Sequence, residues 1–317
     1  MTDTTASQQS DSTLRAARRL ATGVIDNVEE VIVGHHEEIE HIVTALLGRG
    51  HVLLEDVPGV GKTMLARSVA ASVDGEFKRV QFTPDLLPTD VTGVNVYNQK
   101  TEDFEFRPGP IFANVVLGDE INRAPPKTQS ALLEAMEEGQ VSADGTTREV
   151  PQPFTVIATQ NTVEQHKAYD LPMAELDRFM TKLRLGYPDA EAETAMLGDV
   201  VGNHPIEELT PVATLPELRA ARETVAAVEV AEPIRAYATR LAGYTREHAT
   251  LGVSPRGSIS LLRAAQARAV LDDRDYVVPD DLQTEAPVVL PHRIRTDSSD
   301  RSADDLVAAA LERVAVE

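Results

Sequence analysis

Short apolar runs alternate with amphipathic segments along the chain up to Tyr187, and the two kinds of segment differ in period. Apolar residues recur at the three- and four-residue spacing of a helix in 14–24, 37–47, 63–73 and 126–139. Compact apolar runs typical of buried strands occupy 51–55, 77–82, 114–118, 154–159 and 181–185. Because strands that alternate with helices at this spacing form parallel sheets covered on both faces, the pattern predicts an α/β fold.

Two inserts interrupt the alternation, and a region of a different kind follows it. Residues 84–112 and 140–150 each carry two alternating runs around a polar turn, which predicts a β-hairpin in each insert. Beyond Tyr187 the strand pattern stops, and segments rich in Ala, Leu, Arg and Glu have the character of helices. We therefore predict a disordered tail over 1–13, an α/β domain over 14–188, a linker over 189–209 and a helical domain over 210–317.

Composition adds constraints on charge and on chemistry. The chain has 51 acidic and 30 basic residues, a net charge of −21, which opposes non-specific binding to nucleic acid. This charge predicts adaptation to a salty cytosol, where salt screens it, and an acidic protein of an ordinary cytosol is the alternative. The absence of cysteine excludes disulfides and thiolate metal sites. No apolar run approaches the roughly 20 residues that span a bilayer, so we expect a cytoplasmic protein without membrane insertion.

The stretch LLEDVPGVGKT joins a predicted strand to a predicted helix and is similar to the phosphate-binding pattern G-x-x-x-x-G-K-[ST]. Asp56 stands in place of the first glycine. Gly59 and Gly61 allow phosphates to approach the backbone closely. Lys62 would reach the outer phosphates, and Thr63 would ligate Mg²⁺. Because the first glycine serves the turn that leaves the strand, and Asp tolerates unusual backbone angles, we expect the loop to function with Asp56.

Polar side chains follow two further predicted strands. Asp119 and Glu120 end the run NVVLGDE, where the first would hold the Mg²⁺ shell and the second would polarise an attacking water. Asn161 ends the run FTVIATQN and could hydrogen-bond a γ-phosphate or that water; a turn-forming asparagine is the alternative. Because ligands of open α/β sheets bind at the carboxyl ends of the strands, we expect these residues to line one site.

Two arginines are candidate contacts for transition-state charge. Arg178, in ELDRFM, is either an arginine finger or the partner of the adjacent Asp177. In VSPRGS, Ser254 predicts an N-cap and Pro255 a first helical position, so Arg256 falls in a first turn. The helix dipole disfavours a cation there, which suggests a compensating anion such as a nucleotide phosphate. A surface arginine is the alternative.

Taken together, these motifs resemble the AAA+ ATPases. The phosphate loop, DEINRAPPKTQSALLEAMEE, ATQN, LPMAELDRF and SPRGS follow one another in the order and spacing of that group. More narrowly, the chain over roughly residues 20–317 resembles the MoxR family of chaperone-like ATPases. The resemblance implies an AAA+ (P-loop) αβα domain with a parallel sheet, followed by a smaller all-α lid domain. It also implies ATP and Mg²⁺ as cofactors and a homo-oligomeric ring, usually a hexamer.

The resemblance also assigns roles to residues. The Walker B glutamate, sensor 1, the finger for the neighbouring subunit and sensor 2 correspond to Glu120, Asn161, Arg178 and Arg256. The Mg²⁺ positions correspond to Thr63 and Asp119. The nucleotide contacts correspond to Val33, Gly34, Pro58, Gly59, Val60, Gly61, Lys62, Thr63 and Met64. His35 departs from the family pattern, which has Gln after the glycine of the base-binding segment.

Three activities stay open on the sequence. The leading interpretation is an ATPase that remodels or matures a client protein, with a von Willebrand A-domain protein as the partner that the family association suggests. A nucleic-acid motor or clamp-loader-like protein would use the same fold, but the net charge and the lack of a basic stripe oppose it. A scaffold that binds nucleotide without hydrolysis would need neither Glu120 nor Asn161. We therefore expect a protein partner and no nucleic acid.

Overall fold

A five-stranded parallel sheet forms the centre of the first domain. The computed structural model describes residues 2–57, 59–143, 145–161, 169–187, 190, 193–194, 205–297 and 301–316. The sheet has the order β2-β5-β8-β1-β9, with β1 at Val52–Asp56, β2 at Phe77–Gln81, β5 at Val115–Asp119, β8 at Thr155–Asn161 and β9 at Thr181–Leu183. All four neighbouring pairs are parallel, so the predicted α/β class is confirmed.

Each insert holds an antiparallel hairpin where the sequence predicts one. The hairpin strands are β3 (Gly93–Asn98) with β4 (Asp103–Pro108), and β6 (Gln140–Ala143) with β7 (Thr146–Glu149). Arg148 of the second hairpin lies over the ring of Phe106 of the first, with Cζ 3.8 Å from the ring centroid. This cation–π contact joins the two hairpins.

Helices cover both faces of the sheet. One face is covered by α1 (Thr2–Glu29), α2 (His36–Leu47) and α3 (Lys62–Ser72), and the other by α5 (Pro126–Glu138), while the short α4 (Pro88–Thr92) precedes the first hairpin. Side chains of a strand alternate between faces. Val52 and Leu54 accordingly pack with the first group of helices, and Leu53 packs with α5.

The helix α1 starts much earlier than the sequence predicts. It begins at Thr2, whereas the sequence predicts a disordered tail up to residue 13. The buried apolar residues Leu14, Ala17 and Ala21 anchor the helix, and no Gly or Pro precedes them to stop its extension toward the amino end. Within the described ranges, no helix combines the length and apolar character that a membrane crossing requires, although α1 has 28 residues.

The carboxyl-terminal part is helical and is tied to the sheet domain. After the short α6 (Met173–Leu176), it contains α7 (Leu215–Ala227), α8 (Glu232–His248), α9 (Pro255–Leu271), α10 (Pro279–Val289) and α11 (Ala303–Arg313). The helix α7 packs on α1 and α2, and its buried Arg222 donates to the Leu46 carbonyl (2.8 Å). Arg268 of α9 pairs with Glu285 of α10 (2.9 Å) and with Glu40 of α2 (2.6 Å). These buried ionic contacts join α9 and α10 to the first domain.

Two buried histidines make the fold sensitive to acid. His51 precedes β1, accepts the N–H of Val156 with Nδ1 (2.9 Å) and donates from Nε2 to the Met136 carbonyl (3.1 Å). Burial lowers the pKa of His51 to about 4. Burial and the nearby Arg293 lower the pKa of His292 well below its ordinary value. Both imidazoles are therefore neutral in the folded chain near pH 6, where unfolded histidines already bind protons.

We expect the free energy of unfolding to fall as the pH drops from about 6.5 to about 4, because only the unfolded histidines take up protons in this window. For His51, the difference in pKa corresponds to about 3 kcal/mol by pH 4. Urea unfolding across this range measures the slope. His51→Gln should make the slope shallower, whereas His36→Gln should make it steeper, because the hydrogen bond to Glu29 raises the pKa of the exposed His36 in the folded chain. Equal slopes in the wild type and His51→Gln would contradict this account.

Candidate nucleotide-binding site

The carboxyl ends of four sheet strands meet at one cavity of about 410 Å³. Strand register pairs Asp56 with Asn161 and Gln81 with Asp119 across neighbouring strands. The residues that line the cavity are Gly59, Gly61, Lys62, Thr63, Met64, Arg79, Gln81, Asp119, Glu120, Arg123, Thr159 and Asn161. The structure therefore brings together most of the residues that the sequence proposes for phosphate and metal binding.

The glycines of the loop have the conformation that an anion-binding loop needs. Gly59 and Gly61 have φ angles of 92° and 86°, in the left-handed region that favours glycine. A Cβ at Gly59 would meet no atom within 4 Å, so the space in front of this backbone is open. The helix α3 begins at Lys62, and the N–H groups of a first helical turn have no carbonyl of a preceding turn to bond. This open helix start fits a polyphosphate.

Asp56, which stands in place of the first glycine of the loop, makes hydrogen bonds that a glycine could not make. One carboxylate oxygen accepts the N–H of Val57 (2.7 Å), and the other accepts the N–H groups of Leu185 (2.8 Å) and Gly186 (2.7 Å). The side chain thereby fastens the end of β1 to the segment that follows β9. A glycine would supply the turn but none of these three bonds.

Restoring the glycine with Asp56→Gly should therefore destabilise the protein by about 2–4 kcal/mol, because three N–H groups lose a charged acceptor. The measurement is the free energy of unfolding in urea, together with the affinity for an ATP analogue. Asp74→Gly is the matched control, since Asp74 is exposed and has a left-handed φ of 49° that glycine accepts readily. A stability of Asp56→Gly equal to that of the control would contradict the assigned role.

Lys62 places a positive charge beside the loop. Its ammonium donates to the carbonyls of Val57 (2.7 Å) and Asp56 (3.3 Å). Burial lowers the pKa of the Lys62 amine, and the negative charges of Asp56, Asp119 and Glu120 oppose that shift. The cavity therefore presents a lysine ammonium next to open backbone N–H groups, as a phosphate site requires.

The two carboxylates predicted at the end of β5 are held in different ways. Asp119 accepts the Thr159 hydroxyl (2.7 Å) and the Arg79 guanidinium (3.1 Å from Nε). Glu120 accepts from Gln81 Nε2 (2.7 Å) and from Arg123 (2.6 Å). Its backbone is left-handed, with φ 56° and ψ 48°, a strained conformation for a non-glycine residue that is typical of active sites.

The donor set fits a magnesium ion. The Thr63 hydroxyl and the Asp119 carboxylate both line the cavity, and oxygen atoms of this kind are the ligands that Mg²⁺ prefers. An ion held there would neutralise charge on the outer phosphates of a nucleotide. Thr159 also supports the pair, since its hydroxyl oxygen accepts the N–H of Glu120 (2.8 Å) while donating to Asp119.

Sequence reasoning missed four residues of the cavity, which are Arg79, Gln81, Arg123 and Thr159. A signal for two of them was available, because Arg79 and Gln81 alternate along FKRVQF and so face one side of a strand. Arg123 follows the acidic pair within DEINR, and Thr159 precedes the Gln-Asn pair. Their contacts to Asp119 and Glu120 depend on strand pairing, which the sequence alone does not supply.

The predicted base-binding segment borders the phosphate loop. The Cδ1 of Ile32 lies 3.9 Å from the position that a Cβ on Gly61 would take. Val33 is partly exposed and Gly34 is exposed with a φ of 83°, whereas the His35 side chain is buried. Of the remaining predicted contacts, Val60 and Met64 pack partly buried against the core, and Pro58 lies outside the described residues.

The two predicted arginines do not line this cavity, and both pair with the same carboxylate, that of Glu137. Arg178 Nε lies 3.1 Å from Glu137 Oε2, and Arg256 pairs with the other oxygen of the same carboxylate. The segment that carries Arg178 is joined to the amino end of β1, where Met180 N–H donates to the His51 carbonyl (2.8 Å). The phosphate loop follows the opposite end of that strand, and five residues of strand span about 15 Å.

The lid helix α9 and the Arg178 segment are fixed to each other. Ser254 caps α9 as predicted, accepting the N–H of Gly257 (3.1 Å), and its hydroxyl donates to Asp177 (2.9 Å). Asp177 also accepts from the buried Arg293 (2.8 Å), so it is not the partner of Arg178. A Cβ on Gly257 would come within 2.7 Å of Arg293 Cδ, which explains the glycine. These contacts fix the positions of Arg178 and Arg256 relative to each other.

The anion that compensates Arg256 in the first turn of α9 is therefore Glu137 of α5. Within one chain, the anion beside this arginine is a carboxylate, and a contact of Arg256 with a nucleotide phosphate stays a prediction. The chain's own phosphate loop lies beyond the far end of β1 from this arginine.

Comparison with known proteins identifies the family of the two domains. Residues 51–181 match the ATPase family associated with various cellular activities (AAA), and residues 241–311 match the AAA lid domain. A crystal structure from Cytophaga hutchinsonii, described as that of a candidate ATPase, superposes with a TM-score of 0.90 at 36% identity and covers 97% of this chain and 98% of that one. The predicted AAA+ fold with a helical lid is confirmed.

Relatives of known sequence define the family more narrowly. An uncharacterized Bacillus subtilis protein, YeaC, is 54% identical over 272 residues, 85% of each chain. Chaperone MoxR1 of Mycobacterium tuberculosis is 41% identical over 281 residues, which are 85% of this chain and 74% of the relative. On the strength of these relatives and of the two matched domains, the chain belongs to the MoxR family of AAA+ ATPases.

Proposed function

We propose that this protein hydrolyses ATP with Mg²⁺. The observation that carries the proposal is the convergence of the phosphate loop, Lys62, Thr63, Asp119 and Glu120 on one cavity. Lys62 and the open N–H groups of α3 would bind the phosphates, and Thr63 and Asp119 would hold the metal. Glu120, fixed at the end of β5, would orient and polarise the attacking water.

Asn161 would complete the polar end of the site. It ends β8 beside Asp56 in the strand register and lines the same cavity as Glu120. An amide there can hydrogen-bond a terminal phosphate or the water. The presence of both Glu120 and Asn161 favours hydrolysis over the alternative of a scaffold that only binds nucleotide.

The active form that we propose is a homo-oligomeric ring, with six subunits as the expected number. Arg178 and Arg256 share one carboxylate, Glu137, at the edge of the sheet opposite the phosphate loop. Nε of Arg178 is buried, yet none of the described residues accepts its N–H in hydrogen-bond geometry. A neighbour's nucleotide would give both arginines an anion, and the two guanidinium groups would supply the positive charge that the transition state needs.

The work done by hydrolysis would be the remodelling or maturation of a client protein in the cytoplasm. One relative is named a chaperone, and the net charge of −21 opposes nucleic acid as the partner. The paired hairpins β3–β4 and β6–β7 offer a surface for a protein partner. A von Willebrand A-domain protein remains the family-based candidate for that partner.

The test is ATP hydrolysis per subunit, measured in Mg²⁺ over a wide range of protein concentration, with the oligomer sized at each point. We expect the specific activity to rise with concentration as subunits assemble, because each site needs a neighbour's arginines. The rise should appear at moderate and at molar salt if the acidic surface is an adaptation to salt. A fully active monomer would contradict the shared site, and no hydrolysis at any concentration would contradict the proposed ATPase activity.

A further inference from the structure

Arg79 lies in the nucleotide cavity on the carboxylate proposed to serve the metal. Its guanidinium donates to Asp119 Oδ2 from Nε (3.1 Å) and from Nη2 (2.5 Å). The same Nη2 also donates to the Gln81 side-chain oxygen (2.6 Å). The fork geometry of a guanidinium allows one side chain to hold both partners, which a lysine ammonium on the same strand would do poorly.

A guanidinium and a divalent cation compete for one carboxylate. Asp119 has two oxygens, of which Oδ1 accepts the Thr159 hydroxyl and Oδ2 is occupied by Arg79. A Mg²⁺ ion in this cavity would repel the guanidinium and would need a carboxylate oxygen that Arg79 now occupies. The Arg79 side chain is 47% exposed, and an ion pair so open to water is weak enough to exchange.

We propose that Arg79 occupies the metal's place on Asp119 and that binding of the divalent cation displaces it. This inference rests on the proposed function. Arg79 is a positioning residue here, since it neutralises Asp119 before the metal binds and takes no part in bond cleavage. Its displacement has a second effect, because Arg79 supports Gln81 and Gln81 donates to Glu120 (2.7 Å). Arrival of the metal therefore removes a restraint on the residue that would polarise the water.

The competition predicts that loss of Arg79 strengthens metal binding. The probe is Mn²⁺, titrated into the full chain saturated with a non-hydrolysable ATP analogue, with free Mn²⁺ measured by electron paramagnetic resonance. Arg79→Met keeps the apolar stem but removes the charge, and we expect its Mn²⁺ dissociation constant to fall about three- to fivefold, the scale of one exposed ion pair. Arg79→Lys restores a cation near Asp119 and should bring the constant back to within about twofold of the wild type.

A matched variant isolates the contact to Asp119. Lys78 is the neighbouring cation on β2, but it faces the other side of the strand and pairs with Glu76 (3.0 Å), so Lys78→Met should leave Mn²⁺ affinity unchanged.

The outcomes separate this inference from the proposed function. Tighter Mn²⁺ binding in Arg79→Met alone, reversed in Arg79→Lys, supports the competition. Equal tightening in Lys78→Met would show a general effect of charge and would overturn the inference, as would unchanged affinity in Arg79→Met. If the wild type binds neither the ATP analogue nor Mn²⁺, the proposed nucleotide site itself fails, and the inference fails with it.

Discussion

Glu120→Gln is expected to lower the turnover of ATP by about a hundredfold or more, the scale on which loss of one group that stabilises a transition state slows an enzyme. Gln keeps the size of the side chain and can still contact Gln81, but it cannot polarise the water with a negative charge. The oxygens of Asp119 and Thr63 that would hold the metal stay in place, so affinity for ATP with Mg²⁺ should change by less than about twofold. Steady-state kinetics and binding of a fluorescent ATP analogue measure the two quantities.

The control for this variant is Glu134→Gln, an exposed position on α5 with the same change of charge. It should turn over ATP at the wild-type rate. Unchanged turnover in Glu120→Gln would remove Glu120 from its assigned role. A large loss of nucleotide affinity would show instead that Glu120 holds the site together through its contacts to Gln81 and Arg123.

Arg178→Ala should lower the turnover number by about a thousandfold while nucleotide affinity stays the same, since an arginine finger acts on charge that develops in the transition state. The residue lies away from the chain's own cavity and pairs with Glu137. The effect should therefore appear in the assembled oligomer as a loss of turnover. Kinetics at a concentration where sizing shows full assembly is the appropriate measurement.

Arg235→Ala serves as its control, because Arg235 is an exposed arginine of the lid helix α8. Wild-type turnover is expected for it. If Arg178→Ala lost activity only because the oligomer dissociated, sizing would show smaller species. The role of Arg178 as an arginine finger would then depend on the mixing experiment described below.

Local sequence patterns are enough to predict the strands of the sheet and the position of the phosphate loop at their carboxyl ends, for a physical reason. A buried parallel strand is a short apolar run, and the polar residue that ends it, such as Asp119 or Asn161, must lie at the carboxyl edge of the sheet. The loop after β1 is defined by local backbone needs at Gly59 and Gly61. These features depend on neighbours in the chain, so a pattern of a few residues is enough to predict them.

The contacts missed in the sequence depend on residues far apart in the chain. Arg79 is 40 residues from Asp119, and Asp56 is 129 residues from Leu185, so only strand order brings each pair together. The sequence leaves the anionic partner of Arg256 undecided for the same reason. Its local setting in the first turn of a helix predicts an anion, but only the packing of α9 shows that the anion is Glu137.

The helix α1 extends over residues for which composition alone predicts disorder. Polar residues without an apolar stripe cannot fold alone, yet they can extend a helix that is already anchored at Leu14 and Ala17. The attachment of α7 is likewise not visible in the sequence, because its composition is like that of the helices that follow it. Its buried Arg222 nevertheless bonds residues of the sheet domain.

The most direct test of the central claim, that neighbouring subunits share each ATP site, is to mix Arg178→Ala with Lys62→Ala. Each variant alone should be inactive, the first for lack of the finger and the second for lack of phosphate binding. In a mixed oligomer, the intact loop of an Arg178→Ala subunit can face the intact arginines of a Lys62→Ala subunit. We predict ATP turnover that appears on mixing and is greatest near equal amounts. No turnover at any ratio, under conditions where labelled subunits are seen to exchange, would contradict the shared site.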